Sequence, residues 1–231
     1  MIVANGSASG LESKGVYNLV PGQQNLTTNA LKYYLPIYQS LDPLVMSERT
    51  NLRYDSDSRE FCFTLAGFGY RASWPDFTMT SIGGHPDGND YERILVIRYL
   101  CEGQFAPATG KEWHYRDMPS ANTYEQCFNG RVSRRLIKGF SKDLESLRAI
   151  MEGNNGFQGE LLDDNCDLGY RFDLLDGLPV SLRFWREDDE FPASVVLLFD
   201  SSLQFAFSAE DLAVAGGILV DHLMYCRKQV S

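Results

Sequence analysis

The run Val195-Val196-Leu197-Leu198-Phe199 and the later segment Ser208-Ala209-Glu210-Asp211-Leu212 decide the fold class. The first run is apolar at every position, which predicts a central strand covered on both faces. The second segment opens with a helix-capping pattern, and Phe207 and Leu212 occupy the positions of a hydrophobic staple around it. The helix that follows carries an apolar stripe as far as Cys226. A buried strand followed by a capped, amphipathic helix indicates that helices pack on a sheet.

The chain before Val195 contains further strand and helix patterns. Residues 170–174 and 178–186 are short strand-like runs, and residues 60–65 alternate between apolar and polar side chains. Residues 68–74 are the expected hairpin partner of 60–65, with Gly67 at the turn. Residues 91–102 are predicted to form a helix that Asp90 caps, although β-branched residues weaken that prediction.

Helices and strands are partly segregated, with no repeat and no regular βαβ alternation. The predicted class is therefore α+β, a single domain with a mainly antiparallel sheet and helices packed on it. Residues 1–26 are rich in Gly, Ser, Asn and Gln, which predicts a loosely ordered N-terminal arm. The single α+β domain is expected to span residues 27–231, a length that can bury a substantial core.

Composition excludes several classes of function. Hydrophobic residues make up 44% of the chain and aromatic residues 13%, which indicates a folded interior. A formal net charge of −10 argues against nucleic acid and against anionic membrane surfaces. We find no apolar stretch long enough to span a bilayer, no secretion signal and no paired cysteines. We therefore expect a cytoplasmic protein with reduced thiols.

Four separated residues could assemble an active site. His114 and Arg116 lie in a polar, aromatic segment, and Asp189 and Asp200 supply carboxylates further along the chain. Histidine and carboxylate side chains are the usual acids and bases of enzymes, and a fold can bring distant residues together. For Asp189 a solvated loop is the simpler explanation.

The acidic turn Glu187-Asp188-Asp189-Glu190 could bind a metal or act as an acid/base pair. A solvated hairpin loop that blocks edge pairing explains it more simply. Phe191 and Pro192 follow directly, and we expect them to anchor the loop in one shape. The side chains proposed for ligand binding flank this turn or the earlier aromatic segment; they are Trp113, Trp185, Arg186, Asp188 and Glu190.

The histidines and thiols form no recognisable motif. The chain lacks HxxH and HExxH spacings, so no metal site is predicted. His85 lies in a glycine-rich turn, and His222 lies beside the apolar stripe of the last helix, where we expect it to be half-buried. The thiols predicted to lie in the core are Cys101, Cys127 and Cys226.

Several segments together resemble one known family. They are residues 110–119, 169–172, 184–193, 195–200 and 208–213, within a likeness that covers roughly residues 28–226. The chain resembles the domain of unknown function 3786 family. This resemblance implies a setting in anaerobic bacteria and archaea, and relatives joined to iron–sulfur domains. The chain itself has no cluster-type cysteine spacing.

Two functional hypotheses remain. The first is a non-catalytic ligand-binding or accessory module in anaerobic metabolism, which contacts a small molecule or a metalloenzyme partner. The second is an enzyme whose site is assembled from separated His, Arg and Asp residues. The sequence contains no complete catalytic or cofactor motif, so it assigns no cofactor and leaves the question of catalysis open.

Overall fold

The computed structural model describes residues 23–153 and 157–230, and among these residues nine strands form one antiparallel sheet. The strands are β1 (Arg53–Asp55), β2 (Glu60–Leu65), β3 (Phe68–Ser73), β4 (Met79–Ile82), β5 (Glu112–His114), β6 (Glu160–Leu161), β7 (Leu168–Leu175), β8 (Leu178–Trp185) and β9 (Ser194–Asp200). Their spatial order is β4-β3-β2-β7-β8-β9-β5, with β1 paired to β2 and β6 to β7.

Helices occupy the connections and the C-terminal end. They are α1 (Gln23–Ser40), α2 (Pro43–Thr50), α3 (Asp90–Glu102), α4 (Glu125–Arg131), α5 (Ser133–Phe140), α6 (Leu144–Glu152), α7 (Leu203–Ala206) and α8 (Ala209–Val230). The α+β class and the mainly antiparallel sheet are thus confirmed. The first 22 residues of the predicted arm lie outside the described residues, and α1 begins at Gln23. No helix in the described part of the chain is long and apolar enough to cross a membrane.

The hairpin of β2 and β3 forms as the alternation predicts. Phe61, Phe63 and Leu65 face the core, and Phe63 pairs with Tyr70 across the ladder. The turn needs a left-handed backbone, with φ +80° at Gly67. A Cβ atom at that glycine would lie 2.5 Å from the ring of Phe157, so neither the backbone nor the space admits a larger residue.

The sheet consists of two halves that meet at a narrow seam. β2 and β7 share a single register pair, Leu65 with Leu175, and the chain then leaves β2 into its turn. Just past that pair, the amide of Ala66 donates to the carbonyl of Leu174 at 2.7 Å. The carbonyl oxygen of Ala66, at the same seam, is contacted by the His222 ring of α8.

The helix α8 covers this seam. Its first turn is capped as predicted, because the Ser208 hydroxyl donates to the Asp211 carboxylate and accepts from the Asp211 amide. Phe207 and Leu212 are both buried at the staple positions. Buried residues occur along the helix from Ala209 to Cys226, where it contacts α3, α4, α5 and α6.

Several local predictions were wrong. The cap of α3 is Asn89, whose side chain accepts from the next amides, and not Asp90. Cys127 is exposed because α4 turns that face to solvent. Phe191 is 66% exposed, so it does not anchor the acidic loop. His222 is fully buried rather than half-buried.

Candidate functional site

The residues proposed for an assembled active site lie around β5 and the two ends of the neighbouring strand β9. His114 lies at the end of β5, an edge strand, and pairs with Leu198 in the middle of β9. His114 and Arg116 are exposed. Asp189 lies in the turn before β9, beyond the other end of that strand. Among the described residues, no hydrogen bond or ion pair joins the side chains of these residues to one another or to Asp200.

Asp200 is a buried structural clamp. Its carboxylate accepts hydrogen bonds from the amides of Thr109, Gly110 and Ser202 and from the Thr109 hydroxyl. Burial by itself would raise the pKa of this carboxyl, but the hydrogen bonds from Thr109 and Ser202 outweigh it and lower the pKa to about 2. Because its oxygens are occupied by backbone donors, Asp200 holds the 109–111 loop against the end of β9.

The acidic turn is held by hydrogen bonds within the turn. The Asp188 carboxylate accepts from the amides of Glu190 and Phe191, and these bonds lower the pKa of Asp188. All four acidic side chains of the turn are exposed. The geometry is that of a solvated Asx turn, and no described histidine or cysteine completes a metal site there.

The flanking candidates make local contacts. The Trp185 indole donates to the carbonyl of Asn165 at 2.8 Å, and Arg186 lies 3.5 Å from a Glu145 carboxylate oxygen. Lys111 lies over the ring of Trp113. These contacts tie the end of β8 to the loop at Asn165 and to α6, and they join Lys111 to Trp113 at the start of β5.

A different set of residues converges at the seam between the sheet halves. The side chain of His222, on α8, meets that of Glu92, on α3, with 2.5 Å between Nε2 and Oε1. On its other side, His222 Nδ1 lies 3.0 Å from the carbonyl oxygen of Ala66. The two side chains are almost completely buried, at 5% and 3% exposure for the whole residues.

The Glu92 carboxylate is held from three directions. Asn89 and Glu92 form a capping box, in which the Asn89 amide donates to Glu92 Oε2 at 2.5 Å. The Tyr70 hydroxyl donates to Oε1 at 3.2 Å. Burial, and then the adjacent carboxylate, raise the pKa of Tyr70, so the phenol keeps its proton and remains a donor.

Hydrogen-bond geometry determines how many protons this network holds. A carbonyl oxygen only accepts, so His222 Nδ1 carries a proton and donates to Ala66. The short contact between Nε2 and Glu92 then holds one further proton between imidazole and carboxylate. A buried histidine and a buried acid are thereby neutralised together, which is how such groups are tolerated in a core.

Phe68 lies between two histidine rings. Its ring stacks on His222 with centroids 4.0 Å apart and on His85 with centroids 4.3 Å apart. Tyr225 meets the edge of Phe68, and Tyr70 meets His85 edge-on at 4.8 Å. The stack joins the buried network to the surface, since His222 is at its inner end and His85 at its outer end.

A cleft of about 430 Å³ opens at the outer end of the stack. Three parts of the chain line it: the β2–β3 turn, the glycine-rich segment after β4, and the last turns of α8. We call it the His85 cleft, and its lining residues are Gly67, Phe68, Gly69, Ile82, Gly83, Gly84, His85, Tyr225, Cys226 and Gln229. Its volume falls within the usual range for small-molecule sites.

The ionisable groups around the His85 cleft are held by the protein. Both nitrogens of His222 contact protein oxygens, and so do both nitrogens of His85, so neither ring presents a free base. Burial raises the pKa of the Cys226 thiol to about 11, which keeps it protonated and weakly nucleophilic. Within the described residues, no group of three or more His, Cys, Asp or Glu side chains could hold a metal ion.

Sequence reasoning missed this site, although two signals for it were present. His222 follows Leu219 by three residues and Ile218 by four, which puts it within the buried stripe and not beside it. Glu92 follows Asn89 by three, the spacing of a capping box. What no local pattern contains is that these two residues, 130 positions apart, meet each other.

Comparison with known proteins yields one match. The model of a family described as domain of unknown function (DUF3786) matches residues 42–222, more than three quarters of the chain. The matched segment includes Ala66, Tyr70, Glu92 and His222, and it ends at that histidine. Neither a curated protein nor a solved structure matches the chain.

Proposed function

The chain belongs to the DUF3786 family, and we propose that it is a non-catalytic module that binds a small molecule in the His85 cleft. The observation that carries this proposal is the convergence of three distant segments on one cavity of about 430 Å³ backed by a buried polar network. A concave site with a few convergent polar groups is the usual form of a ligand pocket.

The buried network supports binding because it links the elements that line the cleft. The carboxylate of Glu92 connects the start of α3 to α8 and to β3 through His222 and Tyr70. The His222 ring also connects α8 to the β2–β3 turn at Ala66. A site preformed in this way loses less conformational entropy when a ligand binds.

The same contacts favour binding over catalysis. A general base needs a free nitrogen or oxygen within reach of a substrate proton. The nitrogens of His85 and His222 are already directed at protein oxygens, and the cleft lining contains no carboxylate. Cys226 is the only thiol of that lining and is held in its protonated form by burial.

The resemblance adds a physiological setting to this proposal. Members of the family are associated with anaerobic organisms, so the module would work in anaerobic metabolism, in the cytoplasm, alone or beside a metalloenzyme. Affinity purification of the tagged protein from an anaerobic host tests this part. Recovery of a metalloenzyme supports the accessory role, and recovery of the protein alone with a bound small molecule supports the ligand-binding role without it.

A bulky substitution at the rim of the cleft tests the proposed site. Ile82 is exposed on the edge strand β4 and lines the cleft, while Thr80 is exposed two residues earlier on the same face of that strand. Tryptophan at position 82 is expected to block the cleft, and Thr80→Trp is the matched control. Small molecules that stabilise the wild type in a thermal-shift screen should do so in Thr80→Trp and lose their effect in Ile82→Trp. Small molecules that stabilise Ile82→Trp as much as they stabilise the wild type would show that binding occurs elsewhere.

A further inference from the structure

The lining of the His85 cleft is unusual in its charge. The chain has 31 Asp and Glu residues and a net charge of −10, yet none of the ten lining residues is acidic. Tyr225 and Gln229 are neutral, and Cys226 is a protonated thiol. Among the lining side chains, only His85 can be charged near neutral pH, and its charge is positive.

Both ring nitrogens of His85 lie within hydrogen-bond distance of carbonyl oxygens. Nε2 lies 2.9 Å from the carbonyl oxygen of Gly69, and Nδ1 lies 3.0 Å from that of Pro86. Because carbonyl oxygens only accept, both bonds exist together only when both ring nitrogens carry protons. The face of Phe68 lies against the same ring at 4.3 Å between centroids, and an aromatic face attracts a cation.

The surroundings of His85 contain few other charges. From β3, Tyr70 meets the ring edge-on, and from α8 the neutral side chains of Tyr225 and Cys226 line the same cleft. In the loop of His85 itself, the Asp87 carboxylate accepts the amide of Ser81 and is not part of the lining. Behind Phe68 lie His222 and Glu92, which share a proton and balance each other's charge.

The backbone beside His85 is open to a ligand. Gly83 and Gly84 have φ angles of +105° and +85°, and a Cβ atom built on either would meet nothing within 4 Å. This segment is therefore open to solvent along the cleft wall, where a ligand can approach the main chain closely. Peptide N–H groups next to a cationic ring are suited to an anionic oxygen.

We propose that the His85 cleft takes an acidic ligand, a small organic carboxylate, whose negative group lies against His85 and the Gly83–Gly84 backbone. This inference rests on the proposed function, because it names the chemical class of the ligand for the same cleft. It also makes binding dependent on pH, since loss of the His85 proton removes the positive charge and one of the two bonds to carbonyl oxygens.

Three probes of nearly equal shape test the charge preference: benzoate, benzamide and benzylamine. Amide chemical-shift titrations of the ¹⁵N-labelled protein report both affinity and location. At about pH 5.5, benzoate is expected to bind about fivefold more tightly than benzamide, which is the difference in affinity expected for one partly exposed ion pair. The amide signals of Gly83, Gly84 and Gln229 are expected to shift when it binds. The preference should nearly disappear at about pH 8.5, above the ordinary titration range of histidine.

Two variants keep the test independent of one substitution. His85→Gln retains a donor for Gly69 but cannot become charged, so the benzoate preference should become small and independent of pH. Gln229→Glu adds a negative charge to the exposed end of α8 beside the cleft and should also remove the preference, whereas Gln229→Lys should increase it.

The outcomes separate this inference from the proposed function. If all three probes bind at the cleft with equal affinity at low pH, or if the pH dependence persists in His85→Gln, the acidic-ligand inference is overturned and the cleft remains a binding site. If none of the probes shifts the amides of the cleft, or if binding is unchanged in Ile82→Trp, both the inference and the proposed function are overturned.

Discussion

Replacing Glu92 by leucine is expected to destabilise the fold severely, because three donors lose their acceptor at once. These are the Nε2 proton of His222, the Tyr70 hydroxyl and the Asn89 amide. The amide is only partly buried and can reach water, but the other two groups are buried. An orphaned buried polar group costs about 1–3 kcal/mol, and breaking a buried pair costs about 3–5 kcal/mol.

The expected loss is therefore about 3–5 kcal/mol in the free energy of unfolding, a large part of the roughly 5–15 kcal/mol that holds a typical domain. Glu92→Gln is the matched control. Its amide can donate to His222 in the neutral form while its carbonyl accepts from Asn89, so a cost of only about 1 kcal/mol is expected. Urea unfolding followed by tryptophan fluorescence measures both losses.

A double-mutant cycle tests whether the loss comes from the His222–Glu92 pair. His222→Leu alone leaves the Glu92 carboxylate buried with one partner fewer, and it should also cost several kcal/mol. In Glu92→Leu/His222→Leu the two charged groups are removed together, so the combined loss should fall short of the sum by about 2 kcal/mol or more. Additive losses, or a Glu92→Leu cost below about 1.5 kcal/mol, would refute the account of the network as a coupled buried pair.

Three further predictions follow from individual sites. The pKa of Asp200, lowered to about 2, contributes about 2 kcal/mol to the free energy of unfolding; this contribution is complete above the unfolded-state pKa and is lost as the pH falls from about 4 to 2. In urea unfolding, Asp200→Asn should therefore lose less stability than the wild type over this pH range. The same pH dependence in both proteins would contradict the proposed role of the Asp200 hydrogen bonds. Gly67→Ala should lower the free energy of unfolding by about 2 kcal/mol or more, because φ at this position is positive and the ring of Phe157 occupies the space of a Cβ atom. Gly130→Ala has open space in α4 and should raise the free energy of unfolding by up to about 1 kcal/mol, so equal thermal midpoints for the two variants would contradict this prediction. In the native protein, iodoacetamide should modify exposed Cys127 well before buried Cys226, and mass spectrometry of timed digests would reveal the opposite order if the assignment is wrong.

Local physics made much of the fold predictable. The alternation at Phe61, Phe63 and Leu65 specifies a strand with one buried face, because successive side chains point to opposite faces. The cap at Ser208 and the apolar stripe that follows it specify where α8 begins and which side is buried. Such patterns depend only on neighbours a few residues apart, so they can be recognised before the tertiary structure is known.

The local predictions that were wrong concern the cap of one helix and the buried face of another. Asn89 and Asp90 both have capping side chains, and the capping box with Glu92 decides for Asn89. Cys127 was predicted to lie in the core, but it lies on the exposed face of α4, a short helix that ends at Arg131. Helix boundaries depend on tertiary contacts as well as on propensity.

Periodicity and spacing within short windows predicted the class of the fold and the structural unit from β7 to α8. The family resemblance could also be recognised before folding, because it consists of sequence segments spread over most of the chain. Which polar groups meet depended instead on tertiary packing. His114, Arg116, Asp189 and Asp200 looked chemically suitable, but among the described residues no hydrogen bond or ion pair joins their side chains, whereas His222 and Glu92 share a proton at the seam. Such a pairing is a long-range event, set by how α3 and α8 pack over the junction of the two sheet halves, and no residue encodes it alone.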